Sequence, residues 1–448
     1  MALHFPSSFR KRVGIAKSRY TRDSSSLGLF GELPKHIIFE EPAQESQTLF
    51  QEDPTWFESP WTRRLALAVD GGAAWSFVSL IILDFLMQEI ARIENTTEPV
   101  AYCSAYTKLI DIEEIFRITP PGSFLPCHYF DLIGGTSTGG LIATMLTRMK
   151  MTAPQCIVTF DGFQRVEKQP RFTNSLIRGI TLAKRWQKQT TYWDISFSDP
   201  SLENSSFHGD SYCCQTIAFA IEDPQIPKRE TFRSFDDAAD EDDAPKPPAT
   251  IGYVTRKLLA GLEPEYNAKH RRLSSDFSES GEALLDELQS LLPDICNNTL
   301  GIVLSLGCDP GKISNSKYPN VVNRHRSHTF LQRFNVDPPR EGDPRRSTME
   351  DTVSQIRESC QRNKSLLDQY AQFLVRWRRE RANTTYWETF ALGARYFCHR
   401  RNCTSADEPF ETRESFLTHL QSQHDGQWSW TPSGVERELD RGRSLGVA

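Results

Sequence analysis

Short apolar runs that end in glycine-rich turns dominate the hydrophobic pattern of this chain. The run at 65–69 leads into one such turn, and the run at 130–133 leads into a second. A helix-like apolar pattern follows the second turn at 141–146, and a further apolar strand is predicted at 301–307. Continuous apolar strands are typical of parallel sheets covered by helices. The pattern therefore predicts an α/β fold.

The second turn contains Gly-x-Ser-x-Gly, with Gly135, Ser137 and Gly139 at the fixed positions. Between a strand and a helix, this pattern marks a nucleophile elbow, a sharp turn that presents a serine hydroxyl beyond the end of the strand. Glycine is needed on both sides because the strand and helix backbones pass close together. Ser137 is therefore the predicted nucleophile of a serine acyl hydrolase.

The first turn supplies backbone N–H groups for the oxyanion that forms when a serine attacks an ester. Gly71, Gly72 and Ala73 are the predicted donors. Both turns follow strands that should lie side by side in a parallel sheet. We therefore expect the two turns to close on one pocket.

Together the two turns resemble the motifs of the patatin-like phospholipases, in which Asp-Gly-Gly-Gly-x-Arg-Gly precedes Gly-x-Ser-x-Gly. The resemblance covers residues 65–307 and is closest over 130–143. It implies a three-layer α/β sandwich of the patatin-like type and a lipid acyl hydrolase with a Ser-Asp dyad. It also implies a lipid substrate at a membrane surface and no cofactor for catalysis.

The chain departs from the family pattern around both partners of the nucleophile. Ala73 replaces the third glycine of the first motif, Trp75 the arginine and Ser76 the last glycine. No Asp-Gly pair occurs over 205–307, so Asp276 is the positional candidate for the base, with a solvated loop aspartate as the alternative interpretation. Without a base, a serine hydroxyl is a weak nucleophile. The alternative to an active hydrolase is therefore a catalytically impaired pseudoenzyme of the same fold, which acts as an interaction scaffold through a C-terminal helical segment and zinc finger.

A second constellation lies near the C-terminus, where Cys398 and Cys403 precede His419 and His424. Paired thiolates on a turn and paired imidazoles on a helix converge on tetrahedral zinc in fingers of the two-Cys two-His type. The sequence therefore predicts a structural zinc ion as the cofactor, with His399 as a rival ligand.

The predicted finger is single and slightly acidic, with three arginines against four acidic residues over 398–424. Fingers that read DNA present basic residues to phosphates and occur in tandem. A nucleic-acid regulator led by the finger is therefore disfavoured. A protein-interaction or stabilising role is favoured instead.

Composition and charge divide the rest of the chain. The basic segment 375–381 is interpreted as a solvated helix face, and the acidic insert 235–245 as a solvated loop. The basic N-terminus is interpreted as a solvated tail, with a targeting signal or an anionic-membrane contact as alternatives. The predicted divisions are a mostly disordered tail at 1–60, a hydrolase domain at 61–308, a linker at 309–347, a helical segment at 348–397, the finger at 398–424 and a C-terminal tail at 425–448.

The distribution of cysteines and apolar residues indicates the cellular compartment of the protein. The ten cysteines are scattered, apart from one adjacent pair, which suits reduced thiols better than a disulfide framework. No apolar run is long enough to span a bilayer, and the N-terminus lacks the apolar core of a secretory signal. We therefore expect a cytoplasmic protein that associates peripherally with membranes.

Overall fold

A computed structural model of the chain describes part of it in detail. The described residues all fall within the unit Glu52–Ala448. They are 60–61, 63–71, 76–96, 124–167, 197, 214–223, 228–235, 249–260, 283–284, 287–288, 300–307, 330–335, 349–384, 386–401, 403–405, 408–424 and 431–445.

A six-stranded sheet forms the centre of the described region. Its strands are β1 (Arg64–Val69), β2 (Leu132–Thr136), β3 (Gln215–Asp223), β4 (Lys228–Arg233), β5 (Leu300–Gly307) and β6 (Phe330–Asn335). Their order across the sheet is β4-β3-β2-β1-β5-β6. All neighbouring pairs are parallel except β3 and β4, which are antiparallel.

Helices precede, separate and follow the strands. They are α1 (Ser76–Thr96), α2 (Thr138–Thr147), α3 (Ala153–Glu167), α4 (Ile251–Ala260), α5 (Met349–Arg362), α6 (Lys364–Ala382), α7 (Trp387–Leu392), α8 (Arg413–His424) and α9 (Pro432–Gly442). Two short strands, β7 (Ala394–Tyr396) and β8 (Arg443–Leu445), form a separate antiparallel pair. The α/β class predicted from the sequence is confirmed.

β1 and β2 occupy the middle of the sheet, as their continuous apolar sequences predict. They pair in parallel, with Val69 opposite Gly135, so the two glycine-rich turns leave the sheet from adjacent strand ends. The second strand begins at Leu132 rather than at the predicted Phe130. Phe130 and Asp131 instead belong to the turn that follows a short 3-10 helix at Pro126–His128.

The segment predicted as a linker at 309–347 contains β6, which pairs in parallel with β5 at the edge of the sheet. Its sequence, Phe-Leu-Gln-Arg-Phe-Asn, mixes apolar and polar residues and lacks the continuous apolar run of the central strands. Mixed sequences suit an edge strand, because such a strand has a neighbour on one side only. The linker prediction was therefore wrong over these six residues.

The basic segment on α6 is largely buried, so its interpretation as a solvated face was wrong. The side chains of Arg378 and Arg381 are 0% and 1% exposed. Arg378 and Arg379 both donate to the buried carboxylate of Glu94 on α1, at 2.6 and 3.0 Å from their Nε atoms. Tyr129 donates to the same carboxylate at 3.1 Å. These arginines therefore attach α6 to the α/β core.

No described helix has both the length and the apolar character that a bilayer crossing requires.

Candidate active site and metal centre

Ser137 occupies the turn between β2 and α2. Its backbone has a conformation that residues other than glycine rarely adopt. Its φ and ψ are 50° and −119°. A non-glycine residue held in such a region costs on the order of 1–3 kcal/mol, and such residues cluster at functional sites. The sharp turn directs the chain from β2 into a helix that begins at Thr138, the geometry that defines a nucleophile elbow.

The flanking glycines are required by close backbone packing. A Cβ atom on Gly139 would lie 2.1 Å from the carbonyl oxygen of Val69, and one on Gly135 would lie 2.4 Å from the carbonyl carbon of Gly139. Both contacts are with backbone atoms, which cannot rotate away as a side chain can. The elbow is therefore pressed against the end of β1, as the spacing of its glycines predicts.

The first turn begins beside the elbow. A Cβ atom on Gly71 would lie 2.1 Å from the carbonyl oxygen of Thr136, and the Gly71 amide donates to Thr136 Oγ1 at 3.2 Å. As an oxyanion donor, Gly71 would first have to give up this hydrogen bond. Gly72 and Ala73, the other predicted donors, lie outside the described residues.

The Ser137 hydroxyl is buried and directed at a helix end. The residue is 5% exposed, and its Oγ donates to the carbonyl oxygen of Leu258 on α4 at 3.4 Å. Within the described part of the chain, no carboxylate hydrogen-bonds to Ser137 Oγ. Asp276, the positional candidate for the base, lies outside the described residues.

The four predicted metal ligands converge. Cys398 Sγ lies 3.4 Å from His424 Nε2, and Cys403 Sγ lies 3.3 Å from His419 Nε2. All four ligand atoms lie within 4.8 Å of one another. His399, the rival ligand, is exposed and does not belong to this cluster. The four side chains are therefore positioned to bind a metal ion.

An apolar cluster and a small sheet hold this centre in shape. Tyr396, Phe416, Leu420 and Leu439 are buried beside Cys398. Tyr396 pairs with Phe410 through backbone hydrogen bonds at 3.0 and 2.8 Å, and β7 pairs with β8. The unit therefore extends beyond the predicted limits of 398–424, because β7, α9 and β8 pack onto it.

Burial alone disfavours charged forms of the ligands. It raises the pKa of the Cys398 thiol, and it lowers the pKa of His419, with His424 adding to the second effect. A neutral imidazole is the form that binds a cation. For the thiols, a divalent cation reverses the effect of burial by stabilising the thiolates.

Sequence reasoning missed the buried arginines of α6, although a helical pattern signals them. Arg378 follows the buried Leu374 by four residues, and Arg381 follows the buried Trp377 by four. Residues at this spacing share one face of a helix. The arginines thus lie on the apolar face, which the charge count alone conceals.

No known protein-family profile matches the chain, and no curated protein matches it.

Proposed function

We propose that the protein is a serine acyl hydrolase of lipids, with Ser137 as nucleophile on a patatin-like three-layer α/β sandwich. The observation that carries the proposal is the backbone of Ser137, held at φ 50° between a buried parallel strand and a helix. A solvated loop serine has no reason to adopt this conformation. The two backbone-packed glycines beside it support the same conclusion.

In the proposed reaction, Ser137 Oγ attacks the acyl carbonyl carbon and its proton passes to a carboxylate, for which Asp276 is the candidate. The ester C–O bond then breaks, and the departing alkoxide takes up the proton. Water hydrolyses the acyl-serine and releases the fatty acid. The backbone amide after the nucleophile, at Thr138, is a typical oxyanion donor in elbow hydrolases, and it lies at the positive end of the α2 dipole.

The metal in the C-terminal centre is proposed to be zinc. Zn–S bonds of about 2.3 Å and Zn–N bonds of about 2.0–2.1 Å place sulfur and nitrogen about 3.6 Å apart around a tetrahedral ion. The two sulfur–nitrogen distances of 3.4 and 3.3 Å are close to this value. Two thiolates with two imidazoles also form a donor set that zinc prefers.

The finger is proposed to stabilise the C-terminal region and to contact proteins rather than nucleic acid. The exposed positions of α8 include Glu414, Ser415, Thr418 and Gln421, none of which is basic. A helix that enters a DNA groove needs donors for phosphates and base edges. This face lacks the positive charge that such binding requires.

The alternative is an impaired enzyme retained as a scaffold. The hydrogen bond from Ser137 to the Leu258 carbonyl favours it, because a carbonyl oxygen is too weak a base to take the proton of the serine hydroxyl.

Labelling and turnover decide between the two functions. A fluorophosphonate probe should modify Ser137, identified by mass spectrometry. The full chain should release fatty acid from mixed phospholipid vesicles, and Ser137→Ala should abolish both signals. Asp276→Asn should match Ser137→Ala only if Asp276 is the base. Equal release by wild type and Ser137→Ala would leave the scaffold function.

A further inference from the structure

Helix α4 covers the nucleophile. The carbonyl oxygen of Leu258 accepts a hydrogen bond from the Ser137 hydroxyl. The Leu258 side chain packs against Gly140, where an added Cβ atom would lie 3.1 Å from it. Leu258 lies in the last turn of α4, where carbonyl groups have no amide partner within the helix. The serine hydroxyl therefore donates to a carbonyl group at the C-terminal end of this helix.

This arrangement opposes the proposed reaction. The C-terminal end of a helix carries a partial negative charge. The transition state of ester attack also develops negative charge, on an oxygen close to Ser137, and needs donors rather than acceptors there. With the Leu258 carbonyl bonded to the hydroxyl, an acceptor rather than a donor lies beside the attacking oxygen. Movement of α4 would remove this acceptor from the serine.

The outer face of α4 has the chemistry of a lipid-surface contact. Tyr253 is 42% exposed, and Arg256 is exposed one turn further along. The Lys257 side chain is 40% exposed, and its Nζ lies 5.7 Å from the centre of the Tyr253 ring. Tyrosine favours the boundary between lipid and water, and basic side chains are attracted to anionic headgroups.

One ion pair connects this outer face to the sheet. Lys257 Nζ lies 2.9 Å from Glu230 Oε2 on the edge strand β4. Tyr253 also makes an edge contact with Phe232 on the same strand, with ring centres 6.1 Å apart. An anionic phosphate that binds Lys257 competes with Glu230 and loosens the attachment of α4.

We propose that α4 is a cover over Ser137 whose outer face, formed by Tyr253, Arg256 and Lys257, docks on an anionic lipid surface, and that docking displaces the cover. This inference rests on the proposed hydrolase function, because it explains how a buried serine meets a lipid ester. The partner is the surface of an anionic bilayer, which matches the basic and aromatic side chains of this face.

The test uses the full chain with vesicles of phosphatidylcholine alone or of equal parts phosphatidylcholine and phosphatidylglycerol. We expect co-sedimentation with the anionic vesicles only, together with faster amide exchange over 251–260. Fluorophosphonate labelling of Ser137 should accelerate several-fold under the same conditions. Glu230→Gln, which releases Lys257, should increase both exchange and labelling without vesicles.

Surface variants with matched controls locate the contact. Lys257→Met should weaken vesicle binding about fivefold, and Tyr253→Ser should weaken it in the same direction. Lys364→Met and Val158→Ser remove a lysine and an apolar side chain that are 52% and 51% exposed on other helices, and both should bind as wild type does. Equal losses in variants and controls would overturn the proposal, as would a lack of vesicle binding.

The same measurements separate this inference from the proposed function. Ser137 could be labelled at the same rate with and without anionic vesicles, while amide exchange in α4 stays unchanged. That result would contradict the proposed cover but would be consistent with the proposed hydrolase function. A response of α4 to vesicles without labelling of Ser137 in any variant would retain the lipid contact and overturn the hydrolase.

Discussion

Arg381 and Asp131 form a buried ion pair at the start of the central strands, with Nη2 and Oδ2 2.9 Å apart. The same carboxylate oxygen accepts the backbone amide of Leu65 at 2.7 Å, at the beginning of β1. Asp131 also bonds through its own backbone to Leu65 and to Gln215 at the start of β3. A side chain from the C-terminal helices therefore completes the hydrogen bonding that aligns three neighbouring strands.

Aromatic rings and carbonyl groups surround the Arg381 guanidinium. It lies 4.5 Å from the ring centre of Trp61 and 5.5 Å from that of Trp377. Its Nε donates to the carbonyl oxygen of Pro60 at 2.9 Å. Burial lowers the pKa of Arg381, and the charge of Asp131 opposes that effect. Arg64 adds a second positive charge to the pair, with its Nη1 3.6 Å from Asp131 Oδ1, so the buried carboxylate has a cation beside each of its oxygens.

Arg381→Met should destabilise the protein by about 3 kcal/mol, because it removes the nearer cation of the buried Asp131 carboxylate and leaves the more distant Arg64, whose Nη1 lies 3.6 Å from Asp131 Oδ1. Chemical denaturation followed by circular dichroism measures the loss. Arg92→Met is the control, since Arg92 is half exposed and pairs with Asp368 at the surface. It should cost less than about 1 kcal/mol. Similar costs for the two variants would show that the buried pair contributes little.

Ser137→Gly should be more stable than Ser137→Ala by about 1–2 kcal/mol, because glycine adopts a positive φ without the strain that alanine retains. Both variants remove the hydroxyl of the proposed nucleophile, so the comparison isolates the effect of the backbone conformation on stability. Thermal denaturation of the two proteins side by side provides the measurement. If alanine proved equally stable, the turn would not be strained.

Gly139→Ala should unfold the elbow or prevent expression of a folded domain, since its Cβ would lie 2.1 Å from a backbone oxygen of β1. Overpacking of this kind typically costs about 1–3 kcal/mol and more where the backbone must shift. Thr159→Ala, which adds no atoms to an exposed site on α3, is the comparison. Recovery of Gly139→Ala with wild-type stability would contradict the observed packing.

Chelation of the metal should remove the protection of backbone amides from exchange over 394–445. The loss of protection should extend into α7 but not into α6. The extension follows from two bonds: Tyr396 donates to Glu388 on α7, and Thr389 donates to the carbonyl oxygen of Glu411 at 2.5 Å. The buried arginines hold α6 on the core independently. Hydrogen exchange with and without chelator tests this, alongside elemental analysis for zinc. Collapse of protection in β1 and β5 would contradict it.

The stability of the protein should rise as the pH falls from about 7 towards 5, through the contribution of Asp84. Burial raises the pKa of Asp84 to about 6 from an ordinary value of 3.8, against opposing contributions from Gln88 and Arg357. The folded state therefore holds this proton more tightly than the unfolded state does, and stability is gained on protonation. Asp84→Asn should add about 1–2 kcal/mol at neutral pH, after allowance for partial solvent contact.

Denaturation midpoints of wild type and Asp84→Asn at pH 7.5 and pH 5 provide the measurement. The two proteins should differ at the higher pH and converge at the lower one. A constant difference at both pH values would assign the effect to something other than the titration of Asp84.

Local patterns in the sequence determined the central strands, the glycine-flanked turn and the cluster of metal ligands. The apolar runs predicted the ends of β1, β2 and β5 within three residues, because a strand buried on both faces must be apolar throughout. Gly135 and Gly139 predicted a turn in which backbone atoms leave no room for a Cβ. The two cysteines and two histidines predicted a ligand cluster, because metal coordination fixes both residue type and spacing.

Tertiary structure decided the contacts between distant segments. Arg381 meets Asp131 across 250 residues, and nothing near either residue specifies the other. β6 joins the sheet although its sequence lacks a strong strand pattern, because β5 offers it an open edge. The hydrogen bond from Ser137 to the Leu258 carbonyl likewise spans 121 residues. Such contacts depend on shape and burial after the chain has folded, whereas the elbow and the metal ligands are encoded by residues close together in sequence.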